Sequence, residues 1–263
     1  MARLNSGFAG PLAAPSSRER IAHRYEVQEE IARGGMGVVY RVLDRSSGAE
    51  RALKRMQLTT GSRAELYLRA FQREYRVLAS LDHPRIIRVY EYGVDQEGPF
   101  YTMELVRGRD LKRGVPLPWR DVCLYMRDLA TSLSLLHARR LLHGDLSPGN
   151  VKLADDGHCK LLDFGALSDF GRTSWLIGTP PMVSPEALRG DPLDQRADLY
   201  ALGALAYWTL TGRNAFPARR LDDLPEFWET TLRAPSSFCA RHPRGTRQVG
   251  AVAAQPRCAC ASE

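Results

Sequence analysis

The chain has 263 residues, of which 44% are hydrophobic and 25% are charged. This composition supplies enough apolar material for one large or two modest folded domains, at the charge content of an ordinary globular protein. It therefore excludes collagen-like, low-complexity and wholly disordered classes.

The formal net charge of +7 lies almost entirely at the two ends of the chain. Residues 1–24 contain four arginines and one glutamate, and residues 234–263 contain the same numbers, so each end carries +3. The body, residues 25–233, is left with +1. Because a nucleic-acid-binding domain concentrates positive charge on a folded face, this distribution argues against a nucleic-acid partner.

The cysteines and apolar segments indicate the compartment. The five cysteines are at positions 123, 159, 239, 258 and 260. Such an odd, scattered set disfavours a disulfide framework and favours a reducing environment. The N-terminus has no apolar stretch of signal-peptide length, and the longest apolar run, residues 199–210, is too short to cross a bilayer. We therefore expect a cytoplasmic protein without a membrane segment.

The first part of the chain predicts an arm followed by a sheet. Residues 1–24 combine Gly, Pro, Ala and Ser without a hydrophobic period, which predicts a flexible arm. Runs rich in Val, Tyr, Ile and Leu between turn-forming residues then predict antiparallel strands. These runs are residues 25–42, 52–56, 88–92 and 100–105, and a helical stretch, residues 64–81, lies between the second and third.

After Gly108 the hydrophobic period changes from that of strands to that of helices. Residues 121–137 and 197–210 repeat apolar side chains at helical spacing, and loops and small strands are expected between them. Beyond residue 234 the period is lost, which predicts an irregular basic tail. The order of strand-rich and helix-rich parts indicates an α+β protein whose hinge lies near residues 105–110.

A glycine-rich segment, ARGGMGVVY, lies between two of the predicted strand runs. Glycine at positions 34 and 37 would let backbone N–H groups approach phosphate oxygens, because a Cβ atom there would hold a ligand away. On its own, such a segment is more often only a turn.

A lysine and a glutamate form the second candidate feature. Lys54 lies inside an apolar strand, and Glu74 lies between Phe71 and Leu78 on the apolar face of the predicted helix. An unpaired buried carboxylate would cost several kcal/mol, so Glu74 requires a cationic partner. Lys54 is the nearest candidate.

The most informative segment is LLHGDLSPGNVKLADDGHCKLLDFG, residues 141–165. Asp145 and Asn150 are five residues apart in a loop that contains Pro and Gly, and Asp163 follows thirteen residues later. Oxygen ligands from Asn150 and Asp163 suit a hard cation such as Mg²⁺, and Asp145 is free to accept a proton from a hydroxyl group.

Together these segments resemble a eukaryotic-type serine/threonine protein kinase of the bacterial kind, over residues 25–227. The resemblance implies a bilobal α+β fold. Its N-lobe, residues 25–104, would hold an antiparallel sheet and one helix, and its C-lobe, residues 105–233, would be mainly helical. An N-terminal arm and an irregular tail, residues 234–263, would flank this domain.

The resemblance also implies a site for ATP and Mg²⁺. Lys54 would hold the α- and β-phosphates and Glu74 would position it. Asp145 would be the catalytic base, and Asn150 and Asp163 the metal ligands. The residues expected around the nucleotide are Ala32, Gly34, Gly37, Val39, Ala52, Lys54, Met103, Glu104 and Val106. Met103 would be the gatekeeper, and the backbone of the last two residues would meet adenine.

The implied reaction is transfer of the γ-phosphoryl group of ATP to Ser or Thr hydroxyls of a protein substrate. The segments Gly178-Thr179-Pro180 and Ser184-Pro185-Glu186 resemble the end of a peptide-binding activation segment.

Several residues depart from the pattern of this family. Ala32 replaces the first loop glycine, and Gly144 replaces the arginine before the catalytic aspartate, so activity should not depend on a phosphorylated activation loop. Ser147 stands where a lysine is usual, which predicts reduced turnover. Lys152 stands at a usually apolar position beneath adenine, where it could weaken nucleotide binding or form the floor of the site with its stem.

The C-terminal part departs further. Residues 234–263 do not resemble the later C-lobe helices, so Glu186 is expected to lack its arginine partner and the C-lobe to be incomplete; a truncated or altered C-terminus would explain the tail. The tail also contains Cys239, His242, Cys258 and Cys260. Their spacing is unlike that of common zinc sites, and incidental cysteines are favoured.

Two other functions fit the sequence. A pseudokinase that binds nucleotide or serves as a scaffold is supported by Ser147, Lys152 and the short C-lobe. A small-molecule kinase is suggested by the H-G-D-L-x-x-x-N form of the loop, but such enzymes lack the two segments of the activation-segment end found here.

Overall fold

The computed structural model describes residues 20–34, 37–57, 64–171 and 178–238. A six-stranded antiparallel sheet comes first in the chain, in the order β1-β2-β3-β4-β6-β5. Its strands are β1 (Arg20–Ile21), β2 (Tyr25–Gly34), β3 (Gly37–Asp44), β4 (Glu50–Met56), β5 (Val89–Asp95) and β6 (Gly98–Met103).

One helix, α1 (Ala64–Ser80), packs against this sheet. It buries Phe71, Glu74 and Leu78, which are spaced three and four residues apart and therefore share one face. The Phe71 ring lies 5.1 Å from the ring of Tyr101 on β6. The packing of α1 thus brings a charged residue, Glu74, to the sheet together with its apolar neighbours.

The second region is mainly helical. Its helices are α2 (Trp119–Ala138), α3 (Pro185–Arg189), α4 (Gln195–Thr211) and α5 (Leu224–Trp228). Its short strands are β7 (Gly108–Asp110), β8 (Leu141–Leu142), β9 (Val151–Ala154), β10 (Cys159–Leu161) and β11 (Ser168–Asp169). Helix α4 begins after Asp194, whose side chain accepts a hydrogen bond from the Arg196 amide, and ends at Gly212 in the left-handed conformation.

The two regions share one hydrophobic core. The same buried cluster contains Leu78 of α1, Leu133 of α2, and Phe164, which follows β10. A second, smaller cluster, around Tyr200 and Leu224, lies within the helical region. The α+β kinase-like fold predicted from the sequence is confirmed, and the predicted strands and helices are present with bounds shifted by a few residues.

The structure differs from the sequence-based boundaries at both ends. Residues 20–24, which were assigned to the arm, are part of the fold: Arg20 and Ile21 form β1, Ile21 is fully buried, and Arg24, in the turn that follows, pairs with Asp44. The run is too short for a hydrophobic period to reveal it. At the other end, Pro235 is buried and the Phe238 ring lies 6.5 Å from the ring of Tyr207, so the folded part extends past residue 233.

Candidate active site

One face of the sheet carries most of the residues predicted to surround the nucleotide. The strand register places Ala32, Val39, Lys54 and Tyr101 side by side across four strands. Residues that are directly opposite in antiparallel strands point to the same face. Two residues along, Ala52 is opposite Met103 on that face. The sheet therefore brings together residues separated by about seventy positions in sequence.

Lys54 and Glu74 meet as the sequence predicts. Lys54 Nζ lies 2.7 Å and 3.0 Å from the two carboxylate oxygens of Glu74, and Glu74 is only 1% exposed. Lys54 Nζ also lies 3.0 Å from Oδ1 of Asp163. The amine thus joins helix α1 to the segment that follows β10.

Charge interactions decide the ionisation of this group. Burial alone would lower the pKa of Lys54, but the acidic groups of Tyr101, Glu74 and Asp163 outweigh burial and raise the pKa well above its ordinary value. Burial would likewise raise the pKa of Asp163, but the Lys54 ammonium lowers it to about 2. The amine is therefore cationic and Asp163 anionic at neutral pH.

Two further contacts with Glu74 escape the sequence analysis. The Tyr101 hydroxyl donates to Glu74 Oε1 at 3.0 Å, and the backbone amide of Phe164 donates to the same atom at 3.4 Å. Tyr101 lies two residues before Met103 in an alternating strand, so the sequence could predict that both side chains point to the same face of the sheet. The sequence could not predict that Tyr101 bonds to Glu74, because this contact depends on how α1 packs.

The segment after β6 contains the residues predicted to meet adenine. Met103 is buried at the end of the strand. The Glu104 side chain accepts hydrogen bonds from Lys160 Nζ at 2.6 Å and 2.8 Å and from the Arg88 amide at 2.9 Å. Val106 packs against the core. The Glu104 carboxylate is thus occupied, and the Glu104 amide donates to the Arg88 carbonyl at 2.9 Å, so only the backbone carbonyl of Glu104 remains for a ligand at this position.

The two predicted loop glycines differ in what surrounds them. At Gly34 a Cβ atom would meet nothing within 4 Å, whereas at Gly37 it would lie 2.3 Å from the carbonyl oxygen of Arg55 on β4. Gly37 is thus required by the close approach of β3 and β4, a reason within the sheet itself. Gly34 leaves open space. Residues 35 and 36 between them lie outside the described part of the chain.

Asp145 and Asn150 lie together in the loop between β8 and β9. Asn150 Nδ2 donates to the Asp145 carbonyl at 2.8 Å and to its Oδ2 at 3.0 Å. The Thr179 amide and hydroxyl lie 3.2 Å and 3.3 Å from Asp145 Oδ1. Burial raises the pKa of Asp145 above its ordinary value, in the direction that improves a proton acceptor.

Asp198 of α4 holds this loop in place. It is 2% exposed and accepts hydrogen bonds from the amides of His143 at 2.9 Å and Gly144 at 3.0 Å, and its Oδ2 lies 2.8 Å from His137 Nε2. The sequence predicts only a helical stretch, residues 197–210, around Asp198. A charged residue at the beginning of an otherwise apolar helix was the signal for this role.

Gly144 is explained by the conformation of the loop. Its φ is +78°, and a Cβ atom would lie 2.6 Å from the carbonyl oxygen of Ala166. An arginine at this position would therefore strain the backbone and collide with the segment after Asp163.

The oxygen atoms that remain suit a magnesium ion. Asp163 Oδ1 is occupied by Lys54 and the Gly165 amide, which leaves Oδ2. Asn150 uses its Nδ2 toward Asp145, which leaves its carbonyl oxygen. One carboxylate and one amide oxygen are the hard ligands with which Mg²⁺ binds beside substrate phosphates. Among the described residues there is no group of three or more His, Cys, Asp or Glu side chains that could hold a metal ion.

Two departures lie at the edges of this site. Ser147 is buried, and its carbonyl accepts the Asn150 amide. Lys152, on β9, is opposite Lys160 and Asp110 of the neighbouring strands.

Glu186 makes no ion pair within the described ranges. The Cys and His residues of the tail lie outside those ranges. No helix of the described part is both long enough and apolar enough to cross a membrane.

Comparison with known proteins agrees with this geometry. Residues 25–236 match the protein kinase domain. The chain belongs to the protein kinase family. The matched range includes the residues of the candidate active site described above, from the glycine-rich hairpin to the Thr179 segment.

The similar curated proteins are bacterial serine/threonine kinases. The serine/threonine-protein kinase PknL of Mycobacterium bovis is 37% identical over 203 residues, which are 73% of this chain and 50% of PknL. PrkC of Bacillus subtilis is 32% identical over 207 residues, 75% of this chain and 32% of PrkC. The DNA damage-responsive kinase RqkA of Deinococcus radiodurans is 36% identical over 211 residues, 74% of this chain and 31% of RqkA. The chain thus spans half or less of the length of these relatives.

Proposed function

We propose that the chain is an ATP- and Mg²⁺-dependent kinase that phosphorylates Ser or Thr hydroxyls of a protein substrate. The contact of Lys54 with both Glu74 and Asp163 is the observation that carries this proposal. In this contact an ammonium group lies beside the carboxylate that would bind Mg²⁺, at the edge of the sheet face where a nucleotide would lie.

Each residue would then have one task. Lys54 would bind the α- and β-phosphates, and Glu74, fixed by Tyr101, would orient the amine. The backbone of Glu104 and Val106 would bind adenine. Asp163 and Asn150 would hold Mg²⁺, which neutralises phosphate charge when bound. Asp145 would accept the proton of the substrate hydroxyl as that oxygen attacks the γ-phosphorus.

A protein substrate is favoured by the contact between Thr179 and Asp145. Thr179 lies just before the segment 180–186, which contacts α4 and buries Met182 in the shared core. An extended peptide would then lie along this segment, next to the base. The same observation disfavours a small-molecule kinase.

Phosphoryl transfer by the parent and by Asp145→Asn protein tests this function. With γ-³²P-ATP, Mg²⁺ and myelin basic protein, the parent should label Ser or Thr, and Asp145→Asn should lose nearly all transfer because the amide cannot accept the proton. Asp155→Asn, an exposed aspartate close in sequence, is the matched control and should keep activity. Equal labelling by parent and Asp145→Asn protein would contradict the proposal.

A nucleotide-binding pseudokinase is the second candidate, because Ser147 and Lys152 replace residues that favour turnover and adenine binding. Thermal denaturation with and without ATP and Mg²⁺ separates the cases. Stabilisation without phosphate transfer would favour the pseudokinase, and no stabilisation at all would favour a scaffold that does not bind nucleotide.

A further inference from the structure

The catalytic loop, residues 143–150, contains neither lysine nor arginine. Its ionisable groups are the buried His143 and the carboxylate of Asp145. Phosphoryl transfer spreads negative charge over the oxygens of the migrating group, so a cation on this side of the cleft would lower the barrier. On the opposite side, Lys54 is already engaged by Glu74 and Asp163.

A lysine from another part of the chain reaches this loop. A Cβ atom built on Gly149 would lie 3.2 Å from Lys112 Nζ, 3.5 Å from Lys112 Cε and 3.8 Å from Ser147 Oγ. The amine of Lys112 therefore occupies the space that a side chain at position 149 would fill. The amine and the Ser147 hydroxyl both lie within 4 Å of that Cβ position, and Ser147 is two residues from Asp145.

The backbone fixes Lys112 at this place. β7 pairs with β9, the strand that directly follows Asn150, and the Leu111 amide donates to the Val151 carbonyl at 3.3 Å. Leu111 itself is fully buried. The residue before Lys112 is thus bonded to the strand that leaves the catalytic loop, and this pairing holds the two segments next to each other.

The charge of Lys112 is available to a ligand. Its side chain is exposed, and within the described ranges no carboxylate lies at salt-bridge distance from its amine. A flexible four-carbon stem lets such an amine follow a charge that appears nearby. An anionic ligand bound beside Ser147 would therefore form an ion pair with this amine without displacing a carboxylate of the described part of the chain.

We propose that Lys112 is a catalytic residue that supplies, from outside the catalytic loop, the cation that stabilises the migrating phosphoryl group. This inference rests on the proposed function. The substrate oxygen forms a bond to the γ-phosphorus, its proton passes to Asp145, and the bond to the β,γ-bridging oxygen breaks with its electron pair remaining on ADP. Lys112 neither gives nor takes a proton, and it acts through its charge on the γ-phosphoryl oxygens.

The test compares steady-state kinetics of the parent, Lys112→Ala, Lys112→Arg and the double variant Lys112→Ala/Ser147→Lys. Removing one stabilising donor typically lowers kcat by about 100- to 1,000-fold. We expect kcat of Lys112→Ala to fall only about 10- to 100-fold, because solvent screens the charge of an exposed residue. KM for ATP should change less than about threefold. Lys112→Arg should keep a larger share of kcat, and Ser147→Lys should restore much of it by placing a cation in the loop itself.

Arg113→Ala removes a neighbouring exposed charge and is the matched control. The inference is overturned if Lys112→Ala keeps kcat within about twofold of the parent, if Arg113→Ala loses as much, or if Ser147→Lys restores nothing. The Asp145→Asn protein, measured in the same series, distinguishes a failure of the proposed function from a failure of this inference alone. If it equals the parent, the proposed function fails and this inference with it; if the parent is active and Lys112→Ala unchanged, only this inference fails.

Discussion

Lys54 shows how far a single residue can be assigned from sequence. Glu74 stands on the apolar face of a helix, and a buried carboxylate needs a cation, so the pair could be predicted before any coordinates. The third partner, Asp163, could be predicted only through the family resemblance. The hydroxyl of Tyr101 could not be predicted, because hydrogen-bond geometry in a core depends on the packing of α1 against β6.

Substituting the lysine should expose the energetics of this pair. Lys54→Met leaves the carboxylate of Glu74 buried without its amine, and removing one partner of a buried ion pair costs about 3–5 kcal/mol. The double variant Lys54→Met/Glu74→Gln removes the unpaired charge as well. We expect urea denaturation to show the double variant less destabilised than the sum of the single variants. Strict additivity would show that the two groups do not interact.

Gly37 marks a limit of motif interpretation at the same scale. The sequence suggests that both loop glycines serve the ligand, but at Gly37 a side chain would collide with β4. A glycine-rich pattern can thus combine a position that leaves room for a ligand with one that lets two strands pair. The register of the sheet distinguishes them, and the motif alone does not.

At the scale of elements, α1 is connected to the segment after Asp163 by a second ion pair. Arg73, next to Glu74, donates to Asp169 Oδ1 at 2.9 Å and to the Leu167 carbonyl at 3.1 Å. Successive helical residues point about 100° apart, so Glu74 faces the sheet while Arg73 faces β11. Helix position, and with it the Lys54 contact, is therefore coupled to the start of the activation segment.

Removing Arg73 should weaken activity by loosening α1. The pair is half-exposed, and such pairs contribute about 0.2–1 kcal/mol, so we expect Arg73→Ala to lower kcat less than about tenfold. Arg73→Lys should retain more activity because it keeps the charge. Arg76→Ala, on the same helix, serves as the control. A loss equal to that of Asp145→Asn would contradict a purely positional role.

The same contact bears on activation. Gly144 offers no cation to a phosphorylated loop and cannot accept an arginine without strain, whereas Arg73 finds its anion in Asp169. Phosphatase treatment of the purified protein should therefore leave kcat within about twofold of its starting value. A large loss after dephosphorylation would show that a phosphate, rather than Asp169, holds α1 in place.

At the scale of the whole molecule, the change from strand to helix period located the two regions well, because each period extends over many residues. The ends were less predictable. Arg20 and Ile21 form a strand too short to show a period, and Phe238 joins the fold through its ring, which contacts the Tyr207 ring and the Arg213 guanidinium. The amino-acid composition near both ends is typical of flexible tails, but the tertiary contacts of Ile21 and Phe238 include these residues in the fold.

The shared core has a consequence for unfolding. Leu78 and Phe164 lie in one cluster with α2, and the Phe164 ring lies 5.0 Å from His143, which bonds to Asp198. A continuous path of buried contacts thus runs from α1 to α4. Regions connected in this way are expected to unfold together.

Tryptophan fluorescence can test this cooperativity, because all four tryptophans lie after residue 118. Leu53, fully buried in β4, belongs to the cluster on the far side of the sheet. We expect Leu53→Ala to cost about 2–5 kcal/mol and to lower the urea midpoint seen by tryptophan fluorescence. Leu66→Ala, at an exposed position of α1, should leave the midpoint in place. If Leu53→Ala shifts only the circular dichroism transition, the sheet unfolds on its own and the shared core does not couple the two regions.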